Sequence, residues 1–201
     1  MKKRLNIGCR IDWRKKSEGW ICNDILPFKF LIEATKYKYG DVIDFNDIDY
    51  KKFDLLKLPY PFKDNIFDEV LAKGILEYFS DEKLMIILRE LHRILKLGGI
   101  ITIQTPHVSN YNAFIEPGQI SYYSVNKFNF LYTPYFGFLG MFERPKIKLT
   151  WKNERYNKGY KKLIARLVNK IINISPPRME RYLAPLIGGL EEIWYELKVK
   201  K

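Results

Sequence analysis

Five short groups hold the residue types from which a binding and reaction site can be built: Gly8, Cys9 and Arg10; Asp24; Asp54 and Leu55; Lys73 and Gly74, with Glu77 and Tyr78 just after; and Pro106 with His107. Each chemistry follows from the group. A glycine lets a ligand approach the backbone closely. The carboxylate of Asp24 offers several acceptor sites and no competing donor, or is simply a solvated acid in a turn, and Asp54 is a second acid at a strand end. Arg10 can grip a carboxylate through two parallel hydrogen bonds. His107 titrates near neutrality and can take a proton from an oxygen or amine, or it can simply fix its loop. Cys9 and Cys22 stand in no metal-ligand spacing and lie in apolar runs, so they read as buried thiols, and no metal is expected.

The hydrophobic pattern sets these groups at the ends of strands. Residues 4–9 and 20–24 are short apolar runs, each ending in one of the groups. The ten polar residues between them are too few for a long connecting helix. Residues 28–38 read as an amphipathic helix stopped by Gly40. The next strand is either 41–45 or 52–56, and 66–72 is another. Ser80 opens a helix with a capping-box look, Gly98-Gly99 closes it, and 100–106 is again a strand. Strand and helix alternate as in a parallel α/β sheet, where ligands sit beyond the carboxyl ends of the strands. The style changes over 107–142, which is rich in Tyr, Phe, Asn and Gly and reads as an irregular, substrate-facing insert or lid. A strand over 145–152, an amphipathic helix over 160–172, a short helix over 178–187 and a last strand over 191–199 complete one domain, 1–201.

Three stretches carry a resemblance. Asp54-Leu55, Leu58-Pro-Tyr-Pro-Phe62 and Asn65-Ile-Phe-Asp68 resemble a D-x-x-x-L-P-F…D-N-S-F-D signature; Ala72-Lys-Gly-Ile-Leu-Glu-Tyr78 is similar to S-H-V-L-E-H; Glu90 to Gly99 is similar to L-x-R-x-L-K-P-G-G. These belong to class I S-adenosylmethionine (SAM)-dependent methyltransferases. The resemblance implies a three-layer α/β/α, Rossmann-like class I methyltransferase sheet, mostly parallel with an antiparallel C-terminal strand. It implies SAM as cofactor, held by Gly8, Cys9, Arg10, Asp24, Asp54, Leu55, Lys73 and Gly74. In relatives the acid at Asp24 meets the ribose hydroxyls and the acid at Asp54, with Asp44 as runner-up, faces the adenine. Asp68 and Glu77 are expected to support structure, as is His92. Arg10 departs from the family by standing where a second glycine is usual; we expect it to pair with the SAM carboxylate.

The stretch 116–124 and the tail from Pro177 resemble one short subfamily of predicted SAM-dependent methyltransferases. His107, the only histidine expected at the active edge, is the candidate base or else fixes its loop, and Glu116, Gln119 and Tyr122 are the substrate candidates. Aromatic residues of the insert, Tyr111, Phe114, Tyr122, Tyr123 and Phe128, are expected to wall a pocket or else to serve as core. The acceptor implied is a small or glycan-like molecule. A net charge of +12 also permits nucleic acid, so an RNA or DNA methyltransferase is the alternative, and a degenerate binding protein without catalysis is another. The basic helix 160–172 could lie on an anionic membrane, but packing on the sheet is the expected use of its apolar face. With no signal-like or membrane-spanning run, the expected location is cytoplasmic.

Overall fold

A computed structural model describes residues 2–152 and 157–201. Seven strands form one sheet: β1 (Arg4–Ile7), β2 (Trp20–Asp24), β3 (Tyr50–Lys52), β4 (Phe67–Lys73), β5 (Leu95–Pro106), β6 (Lys146–Thr150) and β7 (Glu192–Lys198). Their order is β3-β2-β1-β4-β5-β7-β6. The first five are mutually parallel, and β7 runs antiparallel to both β5 and β6. The expected mostly parallel sheet with an antiparallel last strand is therefore present. Four helices accompany it: α1 (Phe28–Tyr39), α2 (Asp81–Ile94), α3 (Gly159–Ile172) and α4 (Pro176–Tyr182). Between β1 and β2 there is only a single turn, Lys16–Glu18, as the ten-residue spacing requires.

One face of the sheet holds the main core. Leu84, Ile87, Leu88, Leu91 and Ile94 line one side of α2 at helical spacing and are fully buried against Val70, Ile101 and Ile103. The insert supplies the rest of this layer. Tyr123, Val125, Phe128, Leu131, Phe138 and Phe142 belong to the same cluster, so the insert anchors itself in the core through these side chains while much of the rest of 107–142 is exposed. Its backbone is irregular, with single turns at Tyr111–Phe114, Asn129–Tyr132 and Pro134–Phe136.

The other face is covered unevenly. Trp13 packs edge-on against Phe28 and Phe45, and its Nε1 donates to Thr35 Oγ1 at 2.8 Å, which fastens α1 over β2 and β3. Beside β5, β7 and β6 lies instead an open groove bounded by α3.

Several local expectations change. Strand β3 lies at Tyr50–Lys52, touching only the start of the second candidate, and Asp44 instead caps the turn Phe45–Asp47 by accepting the Asn46 N–H. Gly98-Gly99 does not close α2: the helix ends at Ile94, and the glycines sit inside β5, where the pairing with β4 shifts register between Phe67 and Glu69. Ser80 occupies the N-cap of α2, but its side chain makes no cap hydrogen bond; the residue three further on is Lys83, which has no acceptor to reach back with. The apolar stripe of α3 packs only in part: Ile172 joins the core and Val168 lies against it, while Tyr160, Leu163, Ile164, Leu167 and Ile171 are exposed. Only Ala165 and Ile172 of that helix are buried. Among the described residues no helix is long and apolar enough to cross a membrane.

Candidate active site

Strands β1, β4 and β5 are parallel and in register, so their carboxyl ends converge. There a cavity of about 680 Å3 opens. Its walls include Gly8, Cys9 and Arg10 after β1, Lys73, Gly74 and Glu77 after β4, and Gln104, Thr105 and Pro106 at the end of β5. The insert adds Glu116 and Gln119. Nine of the residues singled out in the sequence are thus brought together here.

Local geometry explains the glycines. Gly8 has φ +59, and a Cβ on it would run into the Ile75 side chain. Arg10 holds φ +46, the left-handed region a glycine adopts freely. A carboxylate secures that turn: Asp24 Oδ2 accepts the Arg10 N–H at 2.9 Å, and Oδ1 accepts the Leu26 N–H at 3.0 Å. The Arg10 guanidinium lies over the Tyr78 ring, 5.0 Å from its centroid, and 3.8 Å from Glu116 Oε2. Tyr78 donates a short hydrogen bond to the same Glu116 oxygen. Arg10 thereby lies along the rim of the cavity.

The back wall is unusual in its polarity. Glu77 Oε2, Gln104 Oε1 and Thr105 Oγ1 are buried without hydrogen-bond partners, and all three residues line the cavity. Such orphans are costly unless a ligand or water meets them. Burial pushes the Glu77 carboxyl up to about 7. The Glu77 backbone carbonyl accepts the Ile120 and Ser121 N–H groups, while its side chain, with Oε2 unpartnered, is part of the cavity wall.

His107 lies elsewhere. It is 1% exposed, and both ring nitrogens are engaged. Nδ1 accepts the Ser109 N–H at 3.1 Å, which leaves Nε2 to donate to Glu180 Oε1 at 2.7 Å. That carboxylate oxygen also accepts the Val125 N–H, so the ring clips the end of β5 to the insert and to α4. The geometry therefore gives His107 the loop-fixing role and not that of a base.

Tyr122 stacks on Phe114 and does not line the cavity, and Tyr123 and Phe128 are core. The insert therefore presents mainly polar residues to the cavity, not the aromatic wall expected. Leu55 is buried in the core and meets neither cleft. Asp54 lines a second cleft of about 570 Å3 with Ile25, Phe53, Lys57, Pro59 and Pro61. Asp24 stands at the end of β2, next in sequence to Ile25 of that cleft. The sequence hinted at Gln104 and Thr105 only by their place at the end of β5. As expected, Asp68 is structural, accepting from the Lys3 N–H and from Lys96, and His92 packs on Phe142.

Comparison with known proteins agrees with this geometry. A family described as a methyltransferase domain matches residues 27–103. No curated protein matches the sequence significantly. Among solved structures, a SAM-dependent methyltransferase from Archaeoglobus fulgidus is similar at TM-score 0.61 and 18% identity, over 98% of this chain and 86% of that one. Phosphoethanolamine N-methyltransferase 2 of Haemonchus contortus, in complex with SAM, is similar at TM-score 0.58 and 15% identity; all of this chain matches half of that one. A cyclase, SpnF, is similar at 0.57 and 15% identity over 99% of this chain and 74% of that one, so the fold alone does not dictate the reaction. Strand order, site and matched segment together define the class: a class I SAM-dependent methyltransferase fold. The match to the methyltransferase domain family, over residues 27–103, includes the three motif stretches between Asp54 and Gly99.

Proposed function

We propose that the protein is a SAM-dependent methyltransferase acting on a small or glycan-like acceptor that carries an anionic group. One observation carries the cofactor assignment: the unpartnered acceptors of Glu77 and Gln104 share one cavity with the cations of Arg10 and Lys73. SAM bears an ammonium and a sulfonium beside a carboxylate, so the residues present fit it. Bound there, SAM supplies an electrophilic methyl group. Arg10 and Lys73 would hold the carboxylate end and Asp54 with Ile25 the far end, while Asp24, bonded to the Arg10 and Leu26 N–H groups, would hold the turn between them. Titrating the protein with SAM in a calorimeter tests this, and absence of binding would leave the degenerate, non-catalytic reading. Arg10→Gly is expected to weaken SAM binding by about tenfold, one lost charge-assisted pair. It should leave thermal stability unchanged or slightly raised, because it relieves the positive φ.

Methyl transfer mainly requires that donor and acceptor be held in line and kept dry. Removal of a proton from the acceptor falls to Glu77, the buried carboxylate in the cavity, rather than to His107. The charge of the acceptor is inferred from the adjoining groove of about 1050 Å3, which shares Asp12, Lys73, Gln104 and Glu192 with the cavity. Its remaining walls include Arg14, Lys148, Arg166 and Lys170, so cations outnumber carboxylates. Incubation of the protein with methyl-labelled SAM and a cell extract should place label in small molecules retained by an anion exchanger. Label recovered only in the neutral fraction would remove the anionic assignment, and label in nucleic acid would restore the alternative substrate.

A further inference from the structure

Among the described residues, the outer side of α3 is an apolar surface that nothing covers. Tyr160, Leu163, Ile164, Leu167 and Ile171 are all exposed, Leu163 at 67% and Leu167 at 58%. At about 100° per residue they fall within roughly 100° of arc. The opposite half of the helix holds it to the protein: Ala165 and Ile172 are buried, Asn169 Oδ1 accepts the Trp151 N–H, and Asn173 bonds both backbone groups of Leu149. Lys161 and Lys170 flank the stripe, one on either shoulder. With Lys162 and Arg166 they give α3 four cations, and no acidic residue lies between Gly159 and Ile172.

We propose that this helix docks the protein peripherally on an anionic lipid surface. A basic amphipathic helix of this pattern lies in the plane of the headgroups, with its apolar stripe buried and its lysine stems reaching back to phosphate. The charge disfavours a second copy of the chain, because a two-fold contact through the stripe would set the flanking Lys161 and Lys170 of one copy against those of the other.

The test is co-sedimentation of the full chain with vesicles of phosphatidylcholine alone and of phosphatidylcholine with phosphatidylglycerol. Binding is expected to the second and to fall as salt is added. The double variant Leu163→Glu, Leu167→Glu should keep the melting temperature and SAM affinity of the parent, since both side chains are exposed, and lose at least about tenfold in vesicle partition. No binding to either vesicle, or equal binding by parent and variant, overturns the proposal. So does a parent dimer that the double variant converts to monomer in size-exclusion chromatography, which would assign the stripe to a second copy.

Discussion

Glu77→Gln is expected to lower methyl transfer by about a hundredfold or more, the range for loss of a positioned general base, with a much smaller effect on SAM affinity. Three side chains with unpartnered atoms face the cavity, and only Glu77 among them can accept a full proton. Burial, the main cause, raises its carboxyl from 4.5 to about 7. At SAM far below saturation, turnover should therefore rise with pH through about 7 in the parent, with SAM bound the limb should move to lower pH, and in the variant it should vanish. Binding offers a reading that needs no acceptor. A cationic ligand beside Glu77 favours the carboxylate, so SAM titrated near pH 6.5 should release protons, seen as a binding enthalpy that depends on the buffer. The variant should show no such dependence. The same shift bears on stability. The folded state holds this proton more tightly than the unfolded chain, so the group's contribution is complete below about pH 4.5 and is lost as pH rises to about 7. The loss is about 3 kcal/mol at one unit per 1.36 kcal/mol. Glu77→Gln should accordingly melt higher than the parent at pH 8 but not at pH 4.5. A flat turnover profile in the parent, or equal turnover in the variant, would sink the assignment.

Glu90→Ala is expected to cost about 3 kcal/mol, roughly 6–12 °C in melting temperature, without altering the cavity. Glu90 is buried on α2, where its Oε1 accepts the Tyr60 N–H at 2.6 Å and Arg93 Nη2 at 2.5 Å, and Oε2 accepts Arg93 Nε at 2.9 Å. Arg93 goes on to Asp64 and to the Phe62 carbonyl, so one carboxylate fastens the loop 60–64 to the helix. Alanine would leave a half-buried guanidinium and a buried N–H without their partner. Although burial opposes ionisation, Arg93 and the Tyr60 N–H outweigh it and hold the Glu90 carboxyl below its usual range. The stabilisation is thus present above the ordinary carboxylate range and is lost as pH falls through the lowered value. Thermal melts of the two proteins should converge in acid. A difference that persists unchanged below pH 3 would mean that lost packing, not the ion pair, is responsible.

The nature of the fold was legible in the amino-acid order because local rules generate it. Apolar runs at 4–7, 20–24 and 67–73 form strands, the helical spacing from Leu84 to Ile94 fills one face, and alternation forces parallel pairing. Residues at strand ends follow automatically, which is why Gly8, Arg10, Lys73 and Gly74 were brought to one cavity. What the order of residues did not reveal depends on side-chain burial across distant segments. His107 stands next to the cavity in sequence, yet Glu180, seventy-three residues on, turns its ring away. Glu77 reads as a buried support and becomes an ionisable wall because no loop N–H reaches its Oε2. The aromatic insert is core because Tyr195 and the residues of α2 leave a layer that only Tyr123, Phe128 and Phe138 fill. Helix α3 shows the limit most plainly. Its periodicity predicts an apolar stripe, and the stripe exists, but periodicity alone cannot say whether a sheet, a second molecule or a lipid surface covers it. Only the tertiary structure, in which Asn169, Asn173 and Ala165 take the inner side, turns that stripe outward.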